Sequence, residues 1–291
     1  MNPAPSVILF STLSGLGFGF LAFLAAGLVA VHGFHAFALW FVGYALAVGG
    51  LLFSTLHLGN PQRFLRAFSQ WRSSWLSREA WAAVLTLLLL APMALSDWLG
   101  FDWPRLWGIG TALMCLCTVF TTSMIYAQLK TIPRWNHWTT PALYLCFALT
   151  GGAVLAGQGW FAVACLLVLA ATLLAHWHFG DRRFAEVGAN IGSATGLGTI
   201  GSVKVFEQPH TGQNYLMREM IHVIGRKHAR KLRVISMVLA VVLPALLLVL
   251  APKGPAVLLA AALIHLAGAM TQRWLFFAEA EHVVGLYYGQ R

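Results

Sequence analysis

The sequence predicts an all-α integral membrane protein, a bundle of eight transmembrane helices with both termini on the same side. Hydrophobic residues make up 59% of the 291 residues and charged residues only 10%, whereas soluble domains average roughly 45–50% and about 25%. The mean hydropathy is +0.73, and eight apolar runs approach the length of a membrane span. A soluble protein of this size cannot bury so many apolar side chains, so we treat residues 1–291 as one membrane-embedded domain.

The spans follow from runs of about 20 mostly apolar residues. The third is short, lies between Glu79 and Asp97, and contains Pro92. The glycines at 157 and 159 predict a tight turn between the fifth and sixth, and Pro244 predicts a kink in the seventh, which neighbouring helices can accommodate. In chain order the predicted spans are 7–31, 36–57, 79–96, 105–129, 139–157, 159–178, 233–251 and 255–279.

Positive charge is concentrated on one side of this predicted bundle. The net charge is +10, and 17 of the 19 Lys and Arg residues fall on the side that carries both termini. Only Arg105 and Lys253 fall on the other side. Because Lys and Arg are enriched in cytoplasmic loops, we expect a bacterial inner-membrane protein whose basic face and termini are cytoplasmic. In a membrane protein this charge marks topology and docking rather than nucleic-acid binding.

The segment after the second span predicts a short interfacial helix. Gly59 can end the span, Asn60 can cap a new helix, and Pro61 suits its first position. From Pro61 to Trp71, apolar residues share one helical face and polar residues tend to the other. Such a pattern is typical of an amphipathic helix lying in the membrane interface.

The connection 180–232 predicts a long basic extramembrane loop, since bundle connections are usually short. Its Gly196–Gly201 stretch formally matches a dinucleotide-binding glycine pattern, but the residues from Ser202 to Phe206 favour an extended strand, not a helix. Without a surrounding βαβ unit, dinucleotide binding is not predicted. From Asn214 to Lys231 the pattern predicts a basic helix that rests on the membrane or on a partner.

His57 and Glu79 are the leading candidates for chemistry. His57 ends the second span and Glu79 begins the third, so both are expected at similar depth on the basic side. Ionisable groups at membrane depth are costly and often functional. An imidazole can hydrogen-bond a quinol oxygen or accept its proton near neutral pH, and a carboxylate can pass the proton onward. The pair predicts a membrane-exposed pocket for oxidation of a quinol.

Purely structural roles are also open to these residues. A histidine in a last turn and a glutamate in a first turn each complement the helix dipole by about 0.3–1 kcal/mol, and Ser77 can cap the third helix. At the end of the eighth span, Arg273 either extends to the interface or pairs with an acid inside the bundle. Glu279 there is either an interface anchor or part of a proton exit.

The cysteines predict no metal centre held by this chain alone. None of the four forms a CxxC pair, so we expect neither an iron–sulfur cluster nor structural zinc. Electrons taken from a quinol would then have to leave through another subunit. The cysteines are Cys115, Cys117, Cys146 and Cys165.

Two alternatives come from other classes of membrane protein. A haem-b quinol subunit would need two histidines at matching depth, for which His57, His176, His178 and His265 are available. A small transporter would show internal repeats and helices broken near mid-membrane, but the two halves of this sequence show no convincing similarity.

Several motifs resemble the DmsC-type membrane anchor subunit of dimethyl sulfoxide reductase. The most specific block reads STLHLGNPQR at 54–63 and continues as SWLSRE at 74–79. A second, TIPRW at 131–135, is followed by WTTP at 138–141, as in that family's loop after the fourth helix. The number of spans and the chain length also fit, and the resemblance covers nearly the whole chain.

The resemblance implies an anchor that oxidises quinol without haem and passes electrons to an iron–sulfur subunit and then to a molybdopterin catalytic subunit. It places the family's quinol-site histidine on His57 and its motif glutamate on Glu79. The substrate would be menaquinol or ubiquinol, in anaerobic respiration. The chain alone would then perform no terminal catalysis.

We add further residues to these two as hypotheses. Arg63 and Trp75 are expected to help bind the quinol, beside His57 and Glu79. Basic residues on the same side are expected to dock the iron–sulfur subunit, since complementary charge favours register and association rate. The expected docking residues are Arg66, Arg72, Arg134, Arg226 and Lys227.

Overall fold

The computed structural model describes residues 1–56, 60–207, 211–221, 224–252 and 254–289, and this part of the chain contains helices but no β-strand. Eight long helices, labelled α1 to α8, make up most of it. They are α1 Pro5–Ala25, α2 Gly33–Thr55, α3 Trp75–Leu99, α4 Arg105–Ala127, α5 Thr139–Leu155, α6 Trp160–Glu186, α7 Ala229–Leu250 and α8 Pro255–Ala278.

Within the described ranges, seven of these helices are long and apolar enough to cross a membrane. The other one, α5, is apolar but has 17 residues. At 1.5 Å per residue it is about 25 Å long, less than the roughly 30 Å of a hydrocarbon core. The predicted all-helical membrane protein is confirmed, while length alone does not make α5 an eighth span. Because α5 packs against α1, α4, α6 and α8, protein rather than lipid covers this short helix.

Helix α3 is longer than the predicted span 79–96 at both ends. It begins four residues earlier, so Ser77 is a buried residue inside the helix and not its cap. It continues past Asp97, whose carboxylate accepts a hydrogen bond of 2.9 Å from the Trp40 indole. This bond explains why an acidic residue does not end the helix. The helix stops at Gly100, whose φ of 77° is the left-handed conformation that glycine adopts readily.

Helix α1 lies at the centre of the bundle, packs against α2, α4, α5 and α8, and approaches α2 very closely. A Cβ added at Gly17 would clash with the backbone of Ala47, and one added at Gly50 would clash with Ser14. Small residues allow membrane helices to approach closely and gain van der Waals contact. The packing buries the polar residues of α1, including Ser14, inside the protein.

Helix α7 contains a π-helical turn at Val238–Val242 just before Pro244, the residue at which the sequence predicted a kink. Proline has no backbone N–H, so Pro244 leaves the carbonyl four residues earlier, that of Ala240, without its helical partner. His265 of α8 supplies the partner, since its Nδ1 lies 2.7 Å from the Ala240 oxygen. The neighbouring helix thus satisfies the freed carbonyl, as membrane helices require.

One end of the bundle gathers the N-terminus, the loop 128–138 and the end of α8; we call it the basic end. The Met1 ammonium donates to the Ala280 carbonyl at 2.9 Å, and burial lowers its pKa to about 5. The Val283 amide donates to Thr131 at 2.9 Å. Successive long helices with short connections alternate in direction, so α2 ends and α3 begins at this same end.

The predicted loop 180–232 is shorter than expected, because α6 continues to Glu186. The predicted helix from Asn214 to Lys231 is wrong as one element: Tyr215–Met220 forms a short helix, and Ile221 interrupts it with non-helical φ and ψ. Asn214 does cap that helix, accepting from the Met217 amide at 2.8 Å. The residues from Ser202 to Phe206 form neither helix nor strand.

Candidate functional site

The expected site lies where α2 ends and α3 begins. His57 is outside the described residues, together with 58 and 59, so its role stays a prediction. The structure resumes at Asn60, whose side chain makes no capping bond. The predicted amphipathic helix is instead a 3₁₀ helix at Pro61–Phe68 with a kink at Arg63, where φ is −104° and ψ is 16°. A short uncapped segment gains little from α-helical hydrogen bonds, which explains the tighter and irregular turn.

An open cleft lies between this 3₁₀ helix and the outer side of α3. Its volume is about 480 Å³, and its walls are Phe68, Trp71, Arg78 and Trp81. The Trp81 indole donates to the Phe68 carbonyl at 3.0 Å, and the two rings meet edge to face at 5.4 Å. The volume falls within the range of small-molecule sites. Aromatic walls with one cation suit a flat aromatic ring.

Arg78 fixes the rim of this aromatic cleft. Its guanidinium lies 4.4 Å from the centre of the Trp75 ring and donates to the carbonyls of Trp71 and Arg72 at 3.0 and 2.7 Å. Trp75 itself is half-buried and also meets Phe120 edge to face at 6.2 Å. Trp75 therefore supports the cleft from behind.

Glu79 lies on the opposite, inner side of the same turns of α3. It is 3% exposed, not placed in a membrane-exposed pocket as the sequence predicted. Thr122 of α4 donates to its Oε1 at 2.5 Å. One turn further along α4, Thr118 and Thr86 share a hydrogen bond of 3.0 Å. Glu79 is thus a carboxyl group at the basic end, held inside the bundle by a hydroxyl.

Arg273 is the residue that sequence reasoning placed least well. It does not extend to the interface: it is 2% exposed, and its guanidinium lies 3.6 Å from the centre of the Tyr144 ring. Its Nε and Nη1 have no hydrogen-bond partner among the described residues. The sequence signal that marks Arg273 is its positive charge within an apolar helix, five residues before the helix ends. Such intramembrane cations are usually functional.

A second group of charges at the basic end is directly paired; we call it the ion-pair cluster. Arg233 donates to Glu279 at 2.7 Å and to Asp181 at 2.6 and 2.8 Å. Arg134 bonds to Asp181 at 2.5 Å and reaches Glu279 at 3.5 Å. These contacts join the loop 128–138 to α6, α7 and α8. Glu279 is therefore an anchor between helices, which favours the structural alternative over a proton exit.

The five expected docking residues fall into two groups. Arg66, Arg72 and Lys227 are exposed, as docking requires. Arg134 belongs to the ion-pair cluster and only 11% of its side chain is exposed. Arg226 is 22% exposed and pairs with Glu281 at 3.2 Å. Because Arg134 and Arg226 are paired within the chain, they are poor docking residues.

The buried histidines contact polar groups of neighbouring helices. Besides the bond of His265 to Ala240, His176 Nδ1 lies 3.1 Å from the Thr139 hydroxyl, and its ring stacks on Phe276 at 5.8 Å. His178 is exposed. His176 and His265 thus link neighbouring helices, although the buried Nε2 of His176 has no hydrogen-bond partner among the described residues.

Comparison with known proteins identifies the relatives of this chain. The sequence model of the family described as "DMSO reductase anchor subunit (DmsC)" matches residues 4–289. The chain is also 32% identical over 327 aligned positions to a sulfite dehydrogenase subunit of Allochromatium vinosum, with 99% of each chain covered. Both matches include the cleft, Glu79 and Arg273.

Proposed function

This chain belongs to the family of DMSO reductase anchor subunits, and we propose that it exchanges electrons with a quinol at the basic end of its bundle. Family membership makes it a membrane anchor subunit of a molybdoenzyme-type complex. The quinol chemistry, the residues that perform it and the terminal substrate are the proposal.

The arrangement of α3 carries this proposal. Its first two turns have an aromatic cleft on the outside and the buried Glu79 on the inside. A quinol ring needs aromatic walls open to lipid, and its oxidation needs a proton acceptor at the same depth. The cleft supplies the first, and Glu79, held by Thr122, supplies the second.

The proposed reaction assigns each residue one task. The quinol ring enters the cleft between Trp71 and Trp81, with Arg63 near the entrance. His57 hydrogen-bonds one quinol oxygen and takes its proton, which then passes inward to the buried Glu79. Oxidation of one quinol to a quinone releases two electrons and two protons, of which one reaches Glu79 and the other is released to water. The electrons pass to an iron–sulfur subunit and on to a molybdopterin subunit, which reduces the terminal substrate.

The name of the relative favours a second candidate in which the same site works in reverse. A sulfite dehydrogenase removes electrons from sulfite, so its membrane subunit would receive electrons and reduce a quinone. The chemistry at His57 and Glu79 is then proton donation rather than acceptance. Dimethyl sulfoxide reduction and sulfite oxidation are thus the two assays to compare.

The proposed topology has eight spans, with α5 included, and both termini at the cytoplasmic face of a bacterial inner membrane. The hydrogen bond between Met1 and Ala280 supports termini on one side, and the density of Lys and Arg at the basic end supports the cytoplasmic face. The exposed Arg66, Arg72 and Lys227 would dock an acidic face of the iron–sulfur subunit.

The deciding experiment uses the complex purified from membranes. We expect either quinol-dependent reduction of dimethyl sulfoxide or sulfite-dependent reduction of a quinone analogue, and we expect His57→Arg to abolish it. A soluble dye that exchanges electrons directly with the catalytic subunit serves as the control and should work in both proteins. Unchanged quinol-linked turnover in His57→Arg would contradict the site, and a Soret band at one haem per chain would support the haem-b alternative instead.

A further inference from the structure

The buried acids and arginines of the described chain do not all pair directly. Those whose side chains are buried are Glu79, Glu279 and Arg273. Glu279 forms ion pairs with two arginines of the ion-pair cluster. Among the described residues, Glu79 and Arg273 form no direct ion pair with each other or with a third residue. An isolated charge at this depth is costly. The burial of both Glu79 and Arg273 without a direct ion pair therefore has to be explained.

Arg273 lines a small cavity of the interior, and Glu79 is linked to the same cavity by one intervening side chain. Thr122 lines it and hydrogen-bonds Glu79, and the Arg273 guanidinium lines it from α8. Tyr144 lines the cavity as well: Arg273 covers its ring, which stacks on the ring of Tyr126 at 5.8 Å. Arg273 thus reaches the cavity directly, and Glu79 reaches it only by way of Thr122 on α4.

The cavity suits a water molecule that accepts hydrogen bonds from a cation. Its volume is about 20 Å³, enough for one water. Ser11 and Ser14 of α1 line it and donate to carbonyls of their own helix at 2.9 and 2.7 Å. A hydroxyl has one proton to donate but two lone pairs, so both oxygens remain available as acceptors beside the unpaired Nε and Nη1 of Arg273.

We propose that Glu79 and Arg273 form a buried charge pair, bridged by Thr122 and a water in this cavity. Arg273 is then the positioning residue that keeps Glu79 ionised until it accepts a proton. This step rests on the proposed function. When a proton released by the quinol reaches Glu79, the O–H bond of the quinol has broken and a carboxyl O–H bond forms, leaving the pair with the charge of Arg273 alone. Loss of that proton to water restores the neutral pair.

The first test is a double-mutant cycle on thermal unfolding of the purified complex without quinol. We expect Arg273→Gln and Glu79→Gln each to lower the unfolding midpoint by about 5 °C, because each leaves the other residue without its countercharge. The double variant should recover at least half of that loss. The matched control is the exposed pair of Arg183 and Glu186, 3.5 Å apart, whose cycle should show almost no coupling.

The second test reads the protonation of Glu79 directly. The infrared stretch of a protonated carboxyl, assigned by its loss in Glu79→Gln, should be absent near neutral pH in the natural sequence and present in Arg273→Gln. Arg273→Lys keeps the charge and should remove the band again. A purely structural role of Arg273 would not produce this pattern.

The outcomes separate this inference from the proposed function. Three outcomes would each overturn the charge pair, even if quinol turnover continues. They are additive losses of stability in the double variant, a double variant that does not fold, and a carboxyl band that is the same in Arg273→Gln as in the natural sequence. Coupling and the band change in a protein without any quinol-linked activity would support the pair and overturn the proposed function instead. Recovery of folding in the double variant supports the pair even where a single variant fails to fold.

Discussion

Two regions at the basic end use arginine and carboxylate in opposite ways. In the ion-pair cluster, Arg134 and Arg233 touch Asp181 and Glu279 directly, and Asp181 is half-exposed to water. In the interior, Glu79 and Arg273 are both almost fully buried and approach each other only through Thr122 and a cavity. In the ion-pair cluster each acid contacts two arginines. In the interior, neither Glu79 nor Arg273 has a direct ion-pair partner among the described residues.

The difference separates a structural task from a chemical one. Direct ion pairs stabilise the ionised form of an acid and hold helices in register, so a carboxylate held this way is a poor proton acceptor. A carboxylate whose countercharge is at a distance can gain and lose a proton with a smaller change in energy. We therefore expect changes in the ion-pair cluster to affect folding but not turnover, and changes around Glu79 to affect turnover in addition to stability.

The largest expected effect is on turnover in Glu79→Gln. Loss of a general base typically lowers a rate by 10²–10⁴-fold, and we expect quinol-linked kcat to fall by about 1,000-fold at that scale. The measurement is steady-state turnover with a quinol analogue. The matched control is Glu186→Gln at the exposed end of α6, which should keep full activity. A fall in kcat of less than tenfold in Glu79→Gln would contradict a chemical role for this carboxylate, and the interior would then not differ in task from the ion-pair cluster.

The next effect is on stability in Glu279→Gln. The change removes one acid from between two arginines, and breaking a buried pair costs about 3 kcal/mol. We expect the free energy of unfolding to fall by about that amount, while kcat of the folded protein changes less than twofold. Chemical denaturation followed by circular dichroism gives the first quantity. A protein that keeps its stability but loses turnover would mean that Glu279 belongs to the chemistry after all.

A smaller effect is expected in the cleft from Trp81→Ala. An aromatic contact contributes about 0.5–1.5 kcal/mol beyond burial, so KM for the quinol should rise about tenfold while kcat changes little. Trp107→Ala is the matched control, because its indole also donates to a backbone carbonyl, that of Leu89, at 2.8 Å. Equal effects of both changes would show that the cleft is ordinary membrane interface.

The smallest effect is expected from reversing exposed charge in the Arg66→Glu, Arg72→Glu double variant. Rim charges act mainly on association rate, so association of the iron–sulfur subunit should slow about threefold at low salt, and the difference should shrink as salt rises. Surface plasmon resonance or pull-down at two salt concentrations measures it. Arg105→Glu, at the opposite end of the bundle, should have no effect.

Much of the fold could be predicted because its signals are local. Apolar runs located all eight long helices, Pro244 marked the position next to the π-helical turn of α7, and Gly157 with Gly159 marked the turn before α6. The errors share one cause, which is that helix ends depend on partners distant in sequence. The bond from Trp40 extends α3 past Asp97, and the contacts of Asp181 accompany the extension of α6 beyond its apolar run.

The candidate site was predictable in its parts but not in its arrangement. Glu79 was identified by its place between a loop and an apolar run, yet its burial depends on Thr122, 43 positions away. Trp71 and Trp81 were not among the site residues predicted from the sequence, and only the fold of the 3₁₀ helix against α3 makes them walls of a cleft.

The sequence by itself determined the membrane bundle and the concentration of positive charge at one end. These properties follow from hydropathy and charge, which add up along the chain without regard to its folding. Only the tertiary structure decided which charges meet. Arg134 and Glu279 are 145 positions apart and touch, while Arg273 faces a cavity near Glu79, because pairing depends on distances between helices that no local pattern encodes.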